Sequence, residues 1–466
     1  MQVWQAKCLN PAEMQRIVRV AAFAVCLCVP IVPARAQKST PAPTTQIRSL
    51  AVPRLASRPR LEQFLDGNSR ADMKRVDDFR QRQPGDGLPA SQPTSAWLGY
   101  DQQNFYAVFR CTVPPGQIRA RMSKREDMMS DDVVGLLFDT YHSGQRGYEF
   151  FLNPLGIQAD ATLTEGQSDD FSFDTLWYSE GRVIPEGYLA LFGIPFKSLR
   201  FPAEAVQTWG IALYRSIPTN NENTFWPYIT EKINSFAPQM AAMTGLENIS
   251  PGRNLQLIPY AAFSRSHFLD PFTPPGPAFR SKTDFRPGID GKAVIHDTLT
   301  LDLTLNPDFS QVESDDPQVT VNQRFEIVFP EKRPFFLENT GYFSTPENLF
   351  FSRRIVDPEF GGRLTGKLGH WNLGILAADD RAPGHQLDAA DPNFDGRAAI
   401  AVVRVQREIG KSNIGALFTQ RTFAGYTNRV AALDTRLMLT PTWTLTAQAM
   451  TSQDRTLEGK VTATCC

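Results

Sequence analysis

Histidine and cysteine are both scarce in this chain, and neither is grouped. Of six cysteines, Cys8, Cys26 and Cys28 crowd the N-terminus, leaving Cys111 and the adjacent Cys465 and Cys466. That set offers no disulfide framework and no CxxC pair for a metal or redox centre. The five histidines, His142, His267, His296, His370 and His385, are scattered without an HExxH grouping, which argues against a zinc enzyme. No glycine-rich phosphate loop occurs, so a nucleotide fold is unsupported, and no GxSxG elbow offers a serine nucleophile. Charge of one sign is also lacking: 48 Lys plus Arg face 49 Asp plus Glu, a net of -1. No global field therefore draws nucleic acid. No apolar run reaches the ~20 residues that a spanning helix needs.

What is present favours strands. With 31 Gly, 35 Pro and 32 Phe, and aromatics at 11%, many short strands and turns are expected rather than long helices. At 466 residues the chain exceeds one domain of ~100–200 residues, so two units are expected. Arg16 and Arg19 precede the apolar run Val20 to Val32, and Ala34-Arg35-Ala36 follows as a small-x-small cleavage site. Residues 1–36 thus form an export signal, cut before Gln37. Residues 37–60, rich in Pro, Ser, Thr and Arg, are expected to be a linker.

From Trp97 onward six short β-type runs, AWLGY, NFYAVFRCTV, VVGLLFDTY, YEFFLNPLGIQA, GYLALFGIPF and TWGIALYRSI, are separated by turn residues. Their spacing predicts an antiparallel sandwich over residues 61–253. From residue 254 the alternation lengthens. Trp371, Leu373, Ile375 and Ala377 share one parity, as do Ile414, Ala416 and Phe418, then Leu433, Leu437 and Leu439, then Trp443, Leu445, Ala447 and Ala449. Strands of ~10 residues with one apolar and one small or polar face fit a transmembrane barrel, although a soluble sheet has the same period. At ~20–25 residues per strand, residues 254–466 make roughly 8–10 strands, and the sequence Thr-Ala-Thr-Cys-Cys lacks a terminal aromatic. The expected fold is all-β: an antiparallel sandwich, then an outer-membrane-type antiparallel barrel that is incomplete in this chain.

One stretch joins the two regions. Leu299, Leu301, Leu303 and Leu305 alternate with Thr300, Asp302 and Thr304. An acidic turn follows, then a β-like run from Val319 to Phe329, then the charged cluster Pro330-Glu-Lys-Arg-Pro334 flanked by phenylalanines. NPDFSQVESD, RFEIVFPEKRPFFLENTGYF and LFFSRRI in this order closely resemble a bacterial outer-membrane protein family of unknown function. In that family a carbohydrate-binding module family 9-like sandwich precedes a β-barrel. The module half of the resemblance is carried by Tyr100-Asp101 with Phe105 to Val108, Ser130-Asp131-Asp132 with Phe138-Asp139, Asn153-Pro154 to Asp160, Phe173 to Trp177, Ile194-Pro195-Phe196 and Trp209-Gly210.

The resemblance implies where a sugar would sit. It places the module's first ligand tryptophan at Met129, its acid at Gly135 and its arginine at Phe151, with Trp226 near the second tryptophan. Met, Gly and Phe supply neither donors nor charge, so an ancestral sugar site is expected to be lost. Trp226, Trp177 and Trp97 are the candidate carbohydrate-binding side chains. Asp131, Asp132 and Asp139 are candidate oxygen ligands for a structural Ca²⁺, with turn capping as the alternative. Asp169, Asp170 and Asp174 could furnish the acid and base of glycoside hydrolysis, although no spacing singles out a pair. Glu331, Lys332, Arg333, Glu338, Arg353 and Arg354 lie too densely among phenylalanines to face lipid. They are expected to form an ion-paired network at the rim or in the lumen, where the sandwich would dock. The leading expectation is a non-enzymatic outer-membrane protein of transport or envelope organisation, its sandwich periplasmic or plugging the barrel. Its partners would be outer-membrane lipid, the barrel-assembly machinery and a glycan, with no nucleic acid. The alternative is a carbohydrate-binding accessory of polysaccharide catabolism linked to O-glycosyl hydrolysis.

Overall fold

The computed structural model describes residues 49–65, 70–252, 255–271, 277–295, 298–309, 331–455 and 461–465. The expected export signal over residues 1–36, residues 37–48 of the expected linker and the run from Val319 to Phe329 lie outside them. Strands are the main regular structure of the described chain. The first unit contains β1 (Ser49–Ala51), β2 (Lys74–Val76), β3 (Arg80–Gln83), β4 (Thr94–Tyr100), β5 (Asn104–Thr112), β6 (Val133–Asp139) and β7 (Arg146–Leu152). It continues with β8 (Gln158–Thr164), β9 (Tyr178–Ile184), β10 (Gly187–Pro195), β11 (Val206–Ile217), β12 (Glu222–Trp226) and β13 (Ala241–Glu247).

Two sheets face each other. One runs β1-β13-β11-β6-β7-β8, with β12 pairing the second half of β11 and also β3; the other runs β2-β4-β5-β10-β9. The pleat sends alternate residues inward, so Val134, Leu136 and Phe138 of β6 meet Phe105, Ala107 and Phe109 of β5 in one core. The expected linker is corrected at its end: β1 pairs β13 in parallel, and Leu50, Val52 and Leu55 are buried, so the sandwich begins by Ser49. Burying such apolar side chains, at about 1.5–3 kcal/mol each, outweighs the Pro- and Ser-rich composition around them.

The second unit is one ten-stranded antiparallel sheet in sequence order, with no ladder between its first and last strands among the described residues. It comprises β14 (Gln256–Asp270), β15 (Ala278–Ile295), β16 (Leu299–Leu305), β17 (Phe360–Leu368) and β18 (Trp371–Asp380), then β19 (Ala398–Ile409), β20 (Ser412–Phe423), β21 (Tyr426–Met438), β22 (Thr444–Arg455) and β23 (Val461–Cys465). Its polarity is inverted relative to a soluble sheet. Trp371, Ile375, Ile414, Phe418, Leu433, Trp443 and Leu445 are exposed, whereas Asp302, Arg363, Lys367, Arg404, Glu408 and Asp434 on the opposite face are buried. Those inner charges pair across strands: Arg363 with Asp302 at 2.9 Å, Lys367 with Glu408 at 2.5 Å, and Arg404 with Asp434 through both terminal nitrogens at 2.6 and 2.8 Å. The pairing is what makes burial of the charges tolerable.

Residues 331–357, between β16 and β17, fold back over the apolar part of this inner face, where Phe336, Phe343 and Ile355 pack with Leu376, Ile400, Val402 and Leu417. Here the expected charge network divides. Glu331 takes the Arg333 guanidinium through two bonds, at 2.8 and 2.7 Å, and Arg353 approaches it at 3.9 Å. Arg333 also donates to the carbonyls of Ile355 and Ser352 and lies 4.3 Å from the Phe336 ring centroid. Glu338 instead pairs with Lys292 of β15. Lys332 and Arg354 flank the cluster. The expectation that Arg333 docks the sandwich is therefore corrected: its side-chain hydrogen bonds stay within the insert, because a fork already holding a carboxylate and two carbonyls has no reach left.

Other residues carry the docking. Asn413 donates to Gln145 at 3.1 Å, Thr340 to Asp170 at 2.7 Å, and Arg146 to the Gly341 carbonyl at 3.1 Å while facing the Tyr342 ring. Arg436 of β21 reaches Glu165 of the sandwich at 3.3 Å, both side chains being buried. The Asn234 amide donates to the Pro441 carbonyl at 3.0 Å.

Candidate functional site

The strand register of the first sheet builds a row of side chains across its outward face. Phe225 of β12 stands opposite Tyr214 of β11, Tyr214 opposite Gly135 of β6, and Gly135 opposite Phe151 of β7. At Gly135 a Cβ would lie 2.7 Å from the Phe151 ring, so the absence of a side chain is what seats that ring against Tyr214, with centroids 5.9 Å apart. This row floors a cavity of about 640 Å³. The loop after β8, the segment from Glu231 to Phe236, and Arg436 with Thr442 from the second sheet close its sides.

Four acids line this space, and two of them, Glu149 and Asp169, form no ion pair among the described residues. Glu149, two residues before Phe151 on the same face of β7, is 3% exposed, and its Oε2 has no hydrogen-bond partner. Burial, with the negative Asp169 adding to it, pushes the Glu149 carboxyl well above the usual carboxylate range. Asp169 itself stands exposed at the mouth. The bases around the cavity are engaged. Arg82 lies over the rings of Phe236 and Phe225, at 5.3 and 5.9 Å, and approaches Glu231 at 3.9 Å. Lys232 pairs with Asp86 at 2.9 Å, and Arg436 with Glu165 at 3.3 Å.

The positions named from the sequence fall as follows. Met129 and Phe151 line the cavity and Gly135 lies beneath it, so the three aligned ligand positions do converge. The candidate tryptophans are core residues. Trp226 follows Phe225 and so points to the opposite side of the sheet, into the sandwich core; Phe225 takes the cavity side. Trp177 stacks on Phe192 at 5.6 Å inside the same core. Trp97 is covered by Phe64 on the outer face of the other sheet. None offers a free ring face, which a sugar platform needs.

The expected Ca²⁺ ligands do not gather either. Asp131 is taken by Arg121 and Asn153. Asp132 accepts the Arg119 amide at 2.7 Å, and Asp139 accepts the Gly144 amide at 2.6 Å. Asp132 and Asp139 bracket β6, a separation of roughly 23 Å at ~3.3 Å per residue. Among the described residues no group of three or more acidic, His or Cys side chains could hold a metal ion. Of the loop acids, Asp170 is held by Ser172 and Thr340, and Asp174 pairs with Arg125 at 3.1 Å. Only Asp169 turns to the cavity, and its companion there is Glu149. Sequence reading passed over Glu149 because a lone acid within YEFFL carries no motif; its one signal is a charge inside an otherwise apolar strand.

Comparison with known proteins gives two kinds of likeness. The family described as "Domain of unknown function (DUF5916)" matches residues 251–363. No curated protein matches. Among solved structures, the chain is similar to a putative carbohydrate-binding protein from Bacteroides uniformis, with 12% identity and a TM-score of 0.34 over 42% of this chain and 98% of that one. It is also similar to a carbohydrate binding module family 9 from Caldicellulosiruptor kristjanssonii in complex with cellotriose, with 9% identity and a TM-score of 0.30 over 42% and 93% of the two chains. The same module in complex with glucose gives 10% identity and a TM-score of 0.31 over 42% and 95%.

Proposed function

We propose that this is a non-enzymatic outer-membrane protein whose ten-stranded sheet lies in lipid and whose sandwich docks on the sheet's polar face. The observation that carries this reading is the inverted polarity of the sheet. Leucine, isoleucine and phenylalanine side chains such as Leu433, Ile414 and Phe418 are exposed on the outer face, while paired charges occupy the inner face. Water would oppose that arrangement and hydrocarbon favours it. The export signal read from residues 1–36 agrees. Its task is transport across, or organisation of, the envelope.

The test combines fractionation with one substitution. The full chain should sediment with outer membranes, resist a carbonate wash and migrate differently with and without heating. Leu433 is 63% exposed near the middle of β21. Leu433→Lys should cost ~2–4 kcal/mol in lipid and deplete the membrane fraction. A Leu433→Lys chain that remains in the membrane fraction in undiminished amount would mean that the outer face is wet, and the membrane reading would fall.

A second reading, a carbohydrate-binding accessory of polysaccharide breakdown, is favoured by one observation: the three positions aligned with sugar ligands converge on an aromatic-floored cavity. Saturable binding of glucose or cello-oligosaccharide that Phe151→Ala removes would support it.

A further inference from the structure

The cavity contains an imbalance that the fold does not resolve. Each base on its walls has an acidic partner: Arg82 has Glu231, Lys232 has Asp86, and Arg436 has Glu165. Neither Glu149 nor Asp169 has a basic partner within ion-pair distance among the described residues. Glu149 is buried on β7 with an unbonded oxygen, in a space of about 640 Å³, large enough for a ring-sized molecule. A buried acceptor left unmade costs the fold free energy, so a ligand that supplies a donor there recovers the loss. The neighbouring walls are aromatic faces, Phe151, Tyr214 and Phe225, whose negative quadrupoles attract a cation and whose area covers an apolar body. Tyr214 offers no competing donor, since its hydroxyl is already given to Asn223 at 2.7 Å.

We propose that this cavity binds a protonated primary amine carried on a ring-sized organic body, the ammonium set against Glu149 with Asp169 at the mouth, and the ring against Phe151 and Tyr214. Nothing in this site depends on lipid around the second sheet. Binding is linked to a proton. In the empty cavity burial, with Asp169 adding to it, pushes the Glu149 carboxyl well above the usual carboxylate range. An arriving ammonium favours the carboxylate, so Glu149 releases its proton to solvent as the ion pair forms. Affinity therefore falls as pH is lowered through the Glu149 titration. The other charges at the cavity enter as three pairs, Arg82 with Glu231, Arg436 with Glu165 and Lys232 with Asp86, and largely cancel.

The experiment is calorimetry on the full chain in detergent micelles, with cyclohexylamine, glucosamine and glucose as probes. The expected result is saturable binding of both amines and none of glucose. Heats should differ between buffers of different ionisation enthalpy, reporting the released proton. Glu149→Gln keeps the shape of the side chain and removes the charge, and should weaken amine binding at least roughly tenfold while preserving the melting transition. Asp169→Asn should weaken it less. Glucose binding as tightly as glucosamine would overturn the proposal and leave the glycan reading standing. No binding of either amine up to about 10 mM would overturn the proposal. Undiminished amine binding in a folded Glu149→Gln chain would overturn the proposal alone.

Discussion

Replacing Arg436 by alanine isolates one of the contacts that join the two units. Arg436 Nη2 lies 3.3 Å from Glu165 Oε2, and the side chains are 10% and 4% exposed. Removing one member of a buried pair costs about 3–5 kcal/mol, because the other charge remains buried and uncompensated. Glu165 keeps two partners on its other oxygen, the amides of Phe236 at 2.6 Å and Ala237 at 3.1 Å. The loss therefore falls nearer 2–3 kcal/mol, a shift of roughly 30–150-fold in the ratio of undocked to docked sandwich. Limited trypsin digestion of outer-membrane vesicles reads this directly. Cleavage in the connector between Glu247 and Gln256 should accelerate by about that factor, and Arg436→Lys should recover only part of the protection. Arg333→Ala gives the contrast. Its guanidinium serves Glu331, Ser352 and Ile355, so cleavage should rise within residues 331–357 while the connector stays protected. Connector cleavage that Arg436→Ala leaves unchanged, or that Arg333→Ala accelerates more, would refute this assignment of docking.

Glu126 is pushed up to about 7, mainly by burial, although about a third of its side chain meets solvent. Its folded value exceeds the unfolded one, so stability is greatest below the unfolded value of 4.5 and declines as pH rises toward about 7. Glu126→Gln should accordingly stabilise the sandwich at pH 8 by about 1–2 kcal/mol, after allowance for solvent screening, and leave it unchanged near pH 4; equal melting shifts at both pH values would contradict this. Gly135→Ala places a methyl group 2.7 Å from the Phe151 ring and 3.3 Å from Tyr214 Cβ. Overpacking of this kind costs about 1–3 kcal/mol, visible as a lower thermal midpoint, and a neutral Gly135→Ala would show that the ring is free to move aside.

By itself the sequence determined the secondary structure and its periods. Alternation along Trp371 to Ala377 and Ile414 to Phe418 fixed strands and assigned each residue to one of two faces, because side chains in a strand alternate with period two whatever surrounds them. The phenylalanine-flanked cluster at Glu331 to Arg333 likewise announced a paired charge, since an unpaired one could not lie among those rings. Which face turned outward was beyond periodicity, because both orientations share it. Tertiary structure decided that the apolar face of the second sheet points away from the protein and the charged one inward. Tertiary structure also decided that Arg436 helps to join the units, because only the fold brings Glu165, distant in the chain, to it. The cavity was hidden for the same reason. Phe225, Tyr214, Gly135 and Phe151 belong to four strands, and strand register, set by pairing between distant segments, is what lines them up beside Glu149.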